Sequence, residues 1–510
     1  MNRATTASWQ PPAARSRRSW LLACLLLLGS VFTAAATLVG NGSFFVAIAP
    51  VAIAIGLAAL WVTPLRIPLF GLIFAGLALD APGEGPWESP LAPLGALLGH
   101  NLNKTIPISA LTLPGYAVIL GVLLLLHMHR RLSLTQTDER GRAPTSPAMP
   151  WGMGLSFSAV LALIAVGYRK GGDLQMAKIQ VQAFVSLLIM AYLLAVTMRG
   201  QRDHRILAIL IVMAACIKSL MALYVSSTVA LGTGTDYGAA TTHGDSILFA
   251  CAVAIMTVRF AEAPIRRNAY LCLLTLPLLL AGTVANNRRL AWVEIAATAV
   301  TFCVISRRSD LKRFLARAAL VALPVAAAYV AIGWDSKAEI FAPVKLFRSV
   351  SDSDIDHSTL YRDVENYNLL YTIRWNPFVG AGFGQPFDIV APLDDISFFK
   401  EYRYMPHNSI LGFWAFGGIF GFTGLSLVFV VAIFLASRSY RLARTPDERV
   451  AAFSVIAMVL IHEIQCWGDI GFSERNSIFL VSAALAVAGQ LAVSTGAWGH
   501  RQQHAQAGRA

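Results

Sequence analysis

The sequence predicts an all-α polytopic integral membrane protein with about fourteen transmembrane helices and one large extracytoplasmic loop that contains short helices. Of its 510 residues, 56% are hydrophobic and only 14% are charged, and the mean hydropathy is +0.60. A water-soluble domain usually has about 25% charged residues. Many apolar runs approach the roughly 20 residues that a membrane-spanning helix requires. The net charge of +13 does not indicate nucleic-acid binding, because the basic residues form short clusters between the apolar runs.

The apolar runs divide the chain into regions. We predict a cytoplasmic tail (1–19), an N-terminal transmembrane bundle (20–333), a large periplasmic loop (334–408), C-terminal transmembrane helices (409–494) and a second cytoplasmic tail (495–510). The candidate spans lie at 20–40, 44–63, 67–80, 109–129, 151–167, 179–198, 206–225, 245–258, 268–285, 290–306, 314–333, 409–437, 450–467 and 475–494. The first is longer than a signal-peptide core and lacks a small-residue cleavage site, so we expect it to be retained.

Basic residues cluster in every second connection between the predicted spans. Cytoplasmic loops of membrane proteins carry the excess of Lys and Arg. This alternation therefore places both termini in the cytoplasm and the 334–408 loop on the extracytoplasmic side of the membrane. From Trp334 to Pro406 the loop carries eleven acidic and seven basic residues, with aromatic residues between them. We expect it to fold into short helices over the outer ends of the spans rather than to remain a disordered linker.

The sequence does not predict a metal or cofactor site. All the cysteines lie in apolar stretches, which is typical of small buried side chains rather than of a disulfide framework or a CxxC site; they are Cys24, Cys216, Cys251, Cys272, Cys303 and Cys466. The acidic run Asp352–Asp356 lacks the glycine and the distal glutamate of an EF-hand. A solvated turn is the better interpretation of that run.

The large loop ends in a polar segment, Pro406–Ser409, that leads directly into a long apolar run. This position puts the imidazole of His407 at the boundary between water and lipid, near the positive end of a membrane helix. Gly418 and Gly421 follow one helical turn apart. We expect them to leave a smooth strip where another helix packs closely.

Three segments of the chain resemble the O-antigen ligase and polymerase superfamily. His407-Asn408, followed after nine residues by Gly418 and then by Gly421, is similar to the H-[NSQ]-x9-G-x-x-G pattern of that family. Asn376–Gly384 resembles the NPxxGxGxG turn that precedes the histidine, and Asn287–Trp292 resembles the SRxxW/L segment that opens an upstream span. These segments cover about the last 230 residues. The resemblance implies glycan transfer from a polyprenyl-diphosphate carrier at the periplasmic face, with His407 in the catalytic site.

Glycan transfer from a lipid diphosphate requires an activated acceptor hydroxyl and a stabilised leaving diphosphate. A neutral imidazole can accept the hydroxyl proton, so we predict this role for His407; the alternative is a structural histidine bonded to a loop carbonyl.

Arg288 and Arg289 lie at an outer helix start, where positive charge opposes both the helix dipole and the positive-inside bias. A guanidinium suits a diphosphate, and we favour Arg289 as the catalytic cation and Arg288 as a binding residue. Contact of the arginines with lipid headgroups is the alternative.

Further candidate substrate-binding residues are polar groups in or near the predicted spans and loop. Glu294, one turn inside a span, is interpreted as orienting or neutralising an arginine. Lys218 would contact the diphosphate or, as we favour, extend its stem to the outer interface. Arg362 and Arg374 would hold diphosphate or sugar hydroxyls, although a salt bridge is the commoner fate of loop arginines.

Two further residues near the predicted outer face complete the set of candidates. Asn408 follows the histidine in the motif and is a candidate for binding the substrate. His243, which precedes a span on the outer side, is a further candidate for lining a cavity.

The resemblance thus implies an inverting, metal-independent glycosyltransferase. Its donor would be an undecaprenyl-diphosphate-linked glycan, and its acceptor another glycan repeat, lipid A–core or a protein hydroxyl. A polymerase of surface polysaccharide is slightly favoured, because the outer loop is large and rich in aromatic residues. The alternatives are a flippase for lipid-linked glycan, although the chain lacks visible pseudo-symmetric halves, and a non-catalytic scaffold of an envelope assembly complex.

Overall fold

A computed structural model describes most of the chain. The residues described are 29–31, 33–34, 44–79, 91–104, 112–132, 142–232, 240–306, 310–336, 341, 344, 357–393 and 400–499. Regular structure in these residues is helical, with one isolated β-bridge between Asn101 and Pro114 and no strand. The predicted span at 20–40 and the acidic run Asp352–Asp356 lie largely or wholly outside the described residues. The chain forms two compact units, Met1–Pro68 and Leu69–Ala510.

The α-helices with defined bounds are numbered here in chain order. They are α1 Phe44–Val62, α2 Arg66–Ala78, α3 Ala92–Gly99, α4 Gly115–Leu132, α5 Ala148–Arg169, α6 Leu174–Thr197, α7 Gln201–Gly232, α8 Asp245–Glu262, α9 Arg266–Asn286, α10 Arg289–Ile305, α11 Asp310–Gly333, α12 His357–Trp375, α13 Ser409–Leu442, α14 Pro446–Gly468 and α15 Arg475–Ser494. Several begin at caps that the sequence encodes. Asp173 accepts from the backbone N–H groups of Gln175 and Met176 at the start of α6, and Thr445 with Glu448 forms a capping box at α14.

Eight helices within the described residues are long and apolar enough to cross a membrane, namely α4, α5, α6, α7, α9, α13, α14 and α15. The predicted all-α, multi-pass membrane architecture is confirmed. Helix α8 is buried on every side from Ile247 to Ala252, as expected of a central helix that is apolar all round. Helices α14 and α15 complete the core of the second unit.

The second unit has two chemically different ends. At the first, which we call the arginine end, Asp447 at the start of α14 binds both Arg205 and Arg259, at the start of α7 and in the last turn of α8. At the second, the histidine end, the start of α8 meets the end of α14 and the starts of α13 and α15. The amide of Asn476 donates to Asp245 there (3.0 Å). Among these, helices that are consecutive in the chain therefore run in opposite directions between the two ends.

Helix α13 is broken at Gly418, whose backbone adopts φ 57° and ψ −170°. The turn Asn376–Gly384 fills the break: the Ile419 N–H donates to the Pro377 carbonyl (2.8 Å), and the Gly382 N–H to the Phe416 carbonyl (2.8 Å). The expectation of a smooth helical strip through both glycines is therefore wrong for Gly418, which admits a loop rather than a helix. It holds for Gly421, which faces Leu163 of α5.

The same turn is fastened to the α5–α6 hairpin. Lys170 Nζ donates to the Gly380 carbonyl (2.9 Å), and the Phe383 N–H donates to the Leu163 carbonyl (3.0 Å). A side chain at Gly418 would meet the backbone of Phe378, with the added Cβ only 2.3 Å from its carbonyl carbon. Backbone of one segment therefore lies directly against backbone of the other, and only glycine permits this approach.

Replacing Gly418 with Ala should destabilise the protein by about 1–3 kcal/mol, because alanine is strained at positive φ and its Cβ has no room. The measurement is the melting temperature of the purified protein in detergent. Gly154→Ala is the matched control, since that glycine lies inside α5 with no atom within 4 Å of an added Cβ. The control should be neutral or slightly stabilising. Equal melting temperatures for Gly418→Ala and the native chain would contradict this account of the break.

Candidate functional site

His407 lies just before α13 and is held by a buried carboxylate. Glu365, on α12, is 1% exposed at its side chain; its Oε2 accepts from the His407 backbone N–H (2.9 Å), and its Oε1 lies 3.2 Å from Nδ1 of the imidazole. The edge of the Tyr361 ring also packs against the imidazole, with 5.6 Å between centroids. The histidine side chain remains 26% exposed. Backbone and ring are thus both fixed while part of the ring stays accessible.

This geometry bears on which imidazole nitrogen is available for chemistry. When the Glu365 carboxylate is ionised it only accepts hydrogen bonds, so Nδ1 would carry the proton that is donated to it. Nε2 is then the unprotonated nitrogen and can accept a proton from a hydroxyl. A histidine oriented by a buried carboxylate is the arrangement that general-base chemistry requires.

The sequence prediction missed Glu365, which lies 42 residues before the histidine. A usable signal was present, because polar residues recur at helical spacing along α12 as Tyr361, Glu365, Asn368 and Thr372. All four are buried. Asn368 accepts from the Val390 and Ala391 N–H groups, so this polar face also anchors the segment that follows the glycine turn.

A second polar cluster lies next to this pair, at the end of α14. His243 Nδ1 is 2.8 Å from Oδ2 of Asp469, and the Ser409 hydroxyl lies 3.4 Å from the Asp469 carbonyl. Burial acts to raise the pKa of Asp469, but the hydrogen bond and charge of His243, with further contributions from the Ile470 N–H and the charge of Arg362, lower this pKa to about 2. Asp469 is therefore an anion at physiological pH. Of these residues, the sequence predicted Arg362 and His243 as candidates and missed Asp469.

Arg288 and Arg289 lie at the histidine end, at the junction of α9 and α10. Asn287 ends α9 in the left-handed conformation (φ 53°), and Arg288 is the N-cap residue of α10. Leu290 packs against Gly468, where an added Cβ would be 3.0 Å from the leucine Cδ1. Because Asp469 follows Gly468, the arginine pair and the His407 cluster adjoin the same end of α14. Both arginines are half-buried.

Lys218 is fully buried rather than extended to the membrane interface as favoured from the sequence. Its Nζ lies 3.3 Å from Oδ2 of Asp245, and neither side chain has any exposed surface. Desolvating a lysine is costly unless an acid compensates it. The stem of Lys218 therefore points into the protein, and Asp245 in turn is held by Asn476.

Glu294 does not orient or neutralise an arginine within the part of the chain that the structure describes. It is 0% exposed on α10, and neither carboxylate oxygen has a hydrogen-bond partner among the described residues. Its helix packs against α8 and α14, so the side chain is enclosed by these spans.

Arg362 and Arg374 have different positions although both lie on α12. Arg362 is half-buried and its charge acts on Asp469, which places it with the candidate site. Arg374 is exposed in the last turn of α12. It lies nine residues beyond Glu365 in the sequence, which corresponds to roughly 14 Å along the helix axis. The structure therefore does not bring Arg374 to the cluster.

Asn408 serves as the N-cap of α13, with its side-chain oxygen accepting from the Leu411 N–H (3.0 Å). Its amide nitrogen is buried without a hydrogen-bond partner among the described residues. The asparagine of the motif thus sets the direction in which α13 leaves the histidine. This use of the oxygen is structural, and only the amide nitrogen remains for a substrate.

The glycine turn is not a phosphate cradle. Its consecutive N–H groups already donate to protein acceptors: Gly380 to Asn376, Ala381 to Ala415, Gly382 to Phe416, Phe383 to Leu163, and Gly384 to the Gln180 side chain. A phosphate-binding loop instead presents such groups to its ligand. Among the described residues no group of three His, Cys, Asp or Glu side chains is arranged to hold a metal ion.

The fold and this cluster define a class of protein, a multi-pass membrane protein with a carboxylate-oriented histidine and arginines at one end of its helical bundle. Comparison with protein families gives a match at residues 274–426 to the O-antigen ligase family. Over this segment, the match confirms the resemblance to the O-antigen ligase superfamily that the motifs predicted. The segment carries Arg288, Arg289, Glu365 and His407, whereas Asp469 lies beyond it. A comparison with curated proteins gave no match.

Proposed function

We propose that the protein is an inverting, metal-independent glycosyltransferase that uses a polyprenyl-diphosphate-linked glycan as its donor. The observation that carries the proposal is the pair formed by partly exposed His407 and buried Glu365. With Nδ1 donating to the carboxylate, Nε2 would be the proton acceptor. The family match over the same segment supports membrane glycan processing. The anion recognised would be the diphosphate of the lipid carrier.

In the proposed reaction, Nε2 of His407 removes the proton of the acceptor hydroxyl as its oxygen attacks the anomeric carbon of the donor sugar. The new glycosidic C–O bond forms while the bond between that carbon and the diphosphate oxygen breaks. Polyprenyl diphosphate leaves with the bonding electron pair, and inversion at the anomeric carbon follows from attack opposite the leaving group. Arg289, with Arg288 and Arg362, would stabilise the negative charge on the departing diphosphate.

The proposed topology puts the histidine end at the periplasmic face of a bacterial inner membrane, with both termini cytoplasmic and about fourteen spans in all. The support is the clustering of basic residues at the other end, as in cytoplasmic connections. A cysteine introduced at exposed Asp388, in a cysteine-depleted chain, tests it. Reaction with a membrane-impermeant maleimide in intact spheroplasts is expected, and reaction only after lysis would reverse the orientation.

Arg289→Ala should lower the turnover of glycan transfer by about 10²–10³-fold, because a preformed cation for the leaving group would be lost. Arg289→Lys should recover only part of this activity, since an ammonium cannot make the paired hydrogen bonds of a guanidinium. Arg374→Ala is the matched control, because that arginine is exposed and distant from the cluster. It should retain activity within about twofold of the native protein. An equally active Arg289→Ala variant would remove this arginine from the proposed mechanism.

The acceptor is proposed to be another glycan repeat, which would make the protein a polymerase of surface polysaccharide. The size and aromatic content of the segment before His407 support a surface that contacts sugars. Analysis of glycan attachment and length in a deletion strain tests this choice. A polymerase deletion should leave single repeats on the final acceptor, whereas a ligase deletion should leave full chains on the lipid carrier. Unchanged surface glycan would count against the whole proposal.

A further inference from the structure

The second unit contains a large cavity at the arginine end, on the side of the bundle opposite to His407. Its volume is about 630 Å³, and helices α7, α8, α9, α14 and α15 form its walls. Most of the lining is apolar, with Leu207, Ile211, Ile255, Leu271 and Met458 among the side chains. The proposed glycan-transfer mechanism uses none of these residues.

The cavity is a wedge between α7 and α9. These helices meet near Gly282, where an added Cβ would lie 2.4 Å from the hydroxyl of Ser219. The cavity begins just beyond this closure, at Cys216 and Ile217, and extends along α7 to Arg205. We call this space the wedge.

The dimensions of the wedge fit one leaflet of a bilayer. Eleven residues of α helix separate Arg205 from Cys216, which corresponds to roughly 16 Å. Half of a hydrocarbon core about 30 Å thick is nearly the same length. Ile209 and Met213, on the α7 wall, are 51% and 48% exposed. The wedge is therefore open to the side, and the contact of Ser219 with Gly282 closes it toward the histidine end.

Charged side chains line the wedge only at its arginine end. Arg205 and Arg259 share the carboxylate of Asp447, and Arg267 is exposed in the first turn of α9, which contains no acidic residue. These three arginines and one aspartate give this part of the lining a formal charge of +2. The wedge is thus an apolar slot with positively charged residues at its opening, at the depth of the headgroups. It complements a lipid that combines an acyl chain with an anionic phosphate.

We propose that the wedge binds an acidic glycerophospholipid from the leaflet at the arginine end. One acyl chain occupies the apolar slot between α7 and α9, and the phosphate lies at Arg267 beside the Arg205–Asp447–Arg259 group. We assign the slot to this lipid rather than to the polyprenyl tail of a donor at the histidine end, because the contact of Ser219 with Gly282 closes the wedge toward that end. The site is independent of the proposed glycan transfer.

Native mass spectrometry of the full chain in mild detergent tests the proposal. The protein is titrated with phosphatidylglycerol and, separately, with phosphatidylcholine of identical acyl chains. We expect a preferred single phosphatidylglycerol adduct. Arg267→Gln should weaken its binding about fivefold, the effect of one basic residue close to an anionic lipid. Arg266→Gln removes the same charge from the adjacent residue, which does not line the wedge, and should leave binding unchanged.

A second variant tests the slot separately from the charge. Ala451→Trp places an indole in the wedge from α14 and should abolish the adduct. The melting temperature shows whether this variant folds, and Ala208→Leu, a smaller change on α7, should weaken binding if the tryptophan variant is unstable. Equal binding of the two lipids, or equal effects of Arg266→Gln and Arg267→Gln, would overturn the proposal. Displacement of phosphatidylglycerol by polyprenyl diphosphate would also overturn it, because the wedge would then hold the donor tail.

Discussion

Replacing His407 with Ala is expected to lower the rate of glycan transfer by about 10²–10⁴-fold, the usual contribution of a general base. The variant loses the nitrogen that would accept the proton of the acceptor hydroxyl. It keeps the backbone N–H that donates to Glu365, so the loop retains one of its two anchors. Turnover should therefore fall more than the affinity for the lipid-linked donor. The measurement is single-turnover transfer in proteoliposomes with purified lipid-linked glycan.

The control for this prediction is His129→Ala. His129 is an exposed histidine in the last turn of α4, remote from the candidate site in the fold. Its replacement removes the same side chain and should leave the rate unchanged. Added imidazole should restore part of the activity of His407→Ala, since a small base can enter the space that the ring leaves. Full activity of His407→Ala, with the native melting temperature, would exclude the proposed base and favour a scaffold or a transporter.

The membrane architecture could be predicted from sequence because it depends on composition over short windows. An apolar run near 20 residues suffices to indicate a spanning helix, whatever its neighbours are. The break in α13 could not be predicted in this way. In the sequence, Gly418 cannot be distinguished from the other residues of an apolar helix. The break is visible only from the backbone of Pro377 and Phe378, about 40 residues away, which packs against it.

The candidate site was predicted where local sequence defines it and missed where partners come from distant helices. His407 and the arginine pair could be proposed from the sequence because each lies in a short motif at the end of a span. Lys218 was interpreted as reaching the membrane interface because its partner, Asp245, belongs to the next helix. Arg374 was proposed because it is a cation that precedes the glycine turn, and the helix that carries it leaves it exposed. Sequence therefore indicates which residue types are unusual, while packing decides which of them meet.

The buried carboxylate of Glu365 could not be predicted as a partner of His407, because the two residues lie far apart in the sequence. Its role can be tested separately. Glu365→Gln keeps the size of the side chain but leaves one oxygen to accept where the native carboxylate has two. The His407 backbone N–H and the Nδ1–H then compete for that oxygen. The amide group of the substituted side chain would also donate to an unprotonated Nδ1, which moves the imidazole proton to Nε2. The ring would then present a donor where the reaction requires an acceptor.

We therefore expect Glu365→Gln to lower turnover by about 10²–10⁴-fold, as when a triad aspartate becomes asparagine and the histidine adopts the wrong tautomer. The Michaelis constant for the lipid-linked donor should change little, because Glu365 acts through His407 and is not placed to contact the diphosphate. A merely structural role would instead lower the melting temperature and impair both constants together. Asp363→Asn is the matched control, since Asp363 is exposed on the same helix. If Glu365→Gln transferred glycan within about twofold of the native rate, the carboxylate would not orient the base, and the mechanism built on Nε2 of His407 would lose its main support.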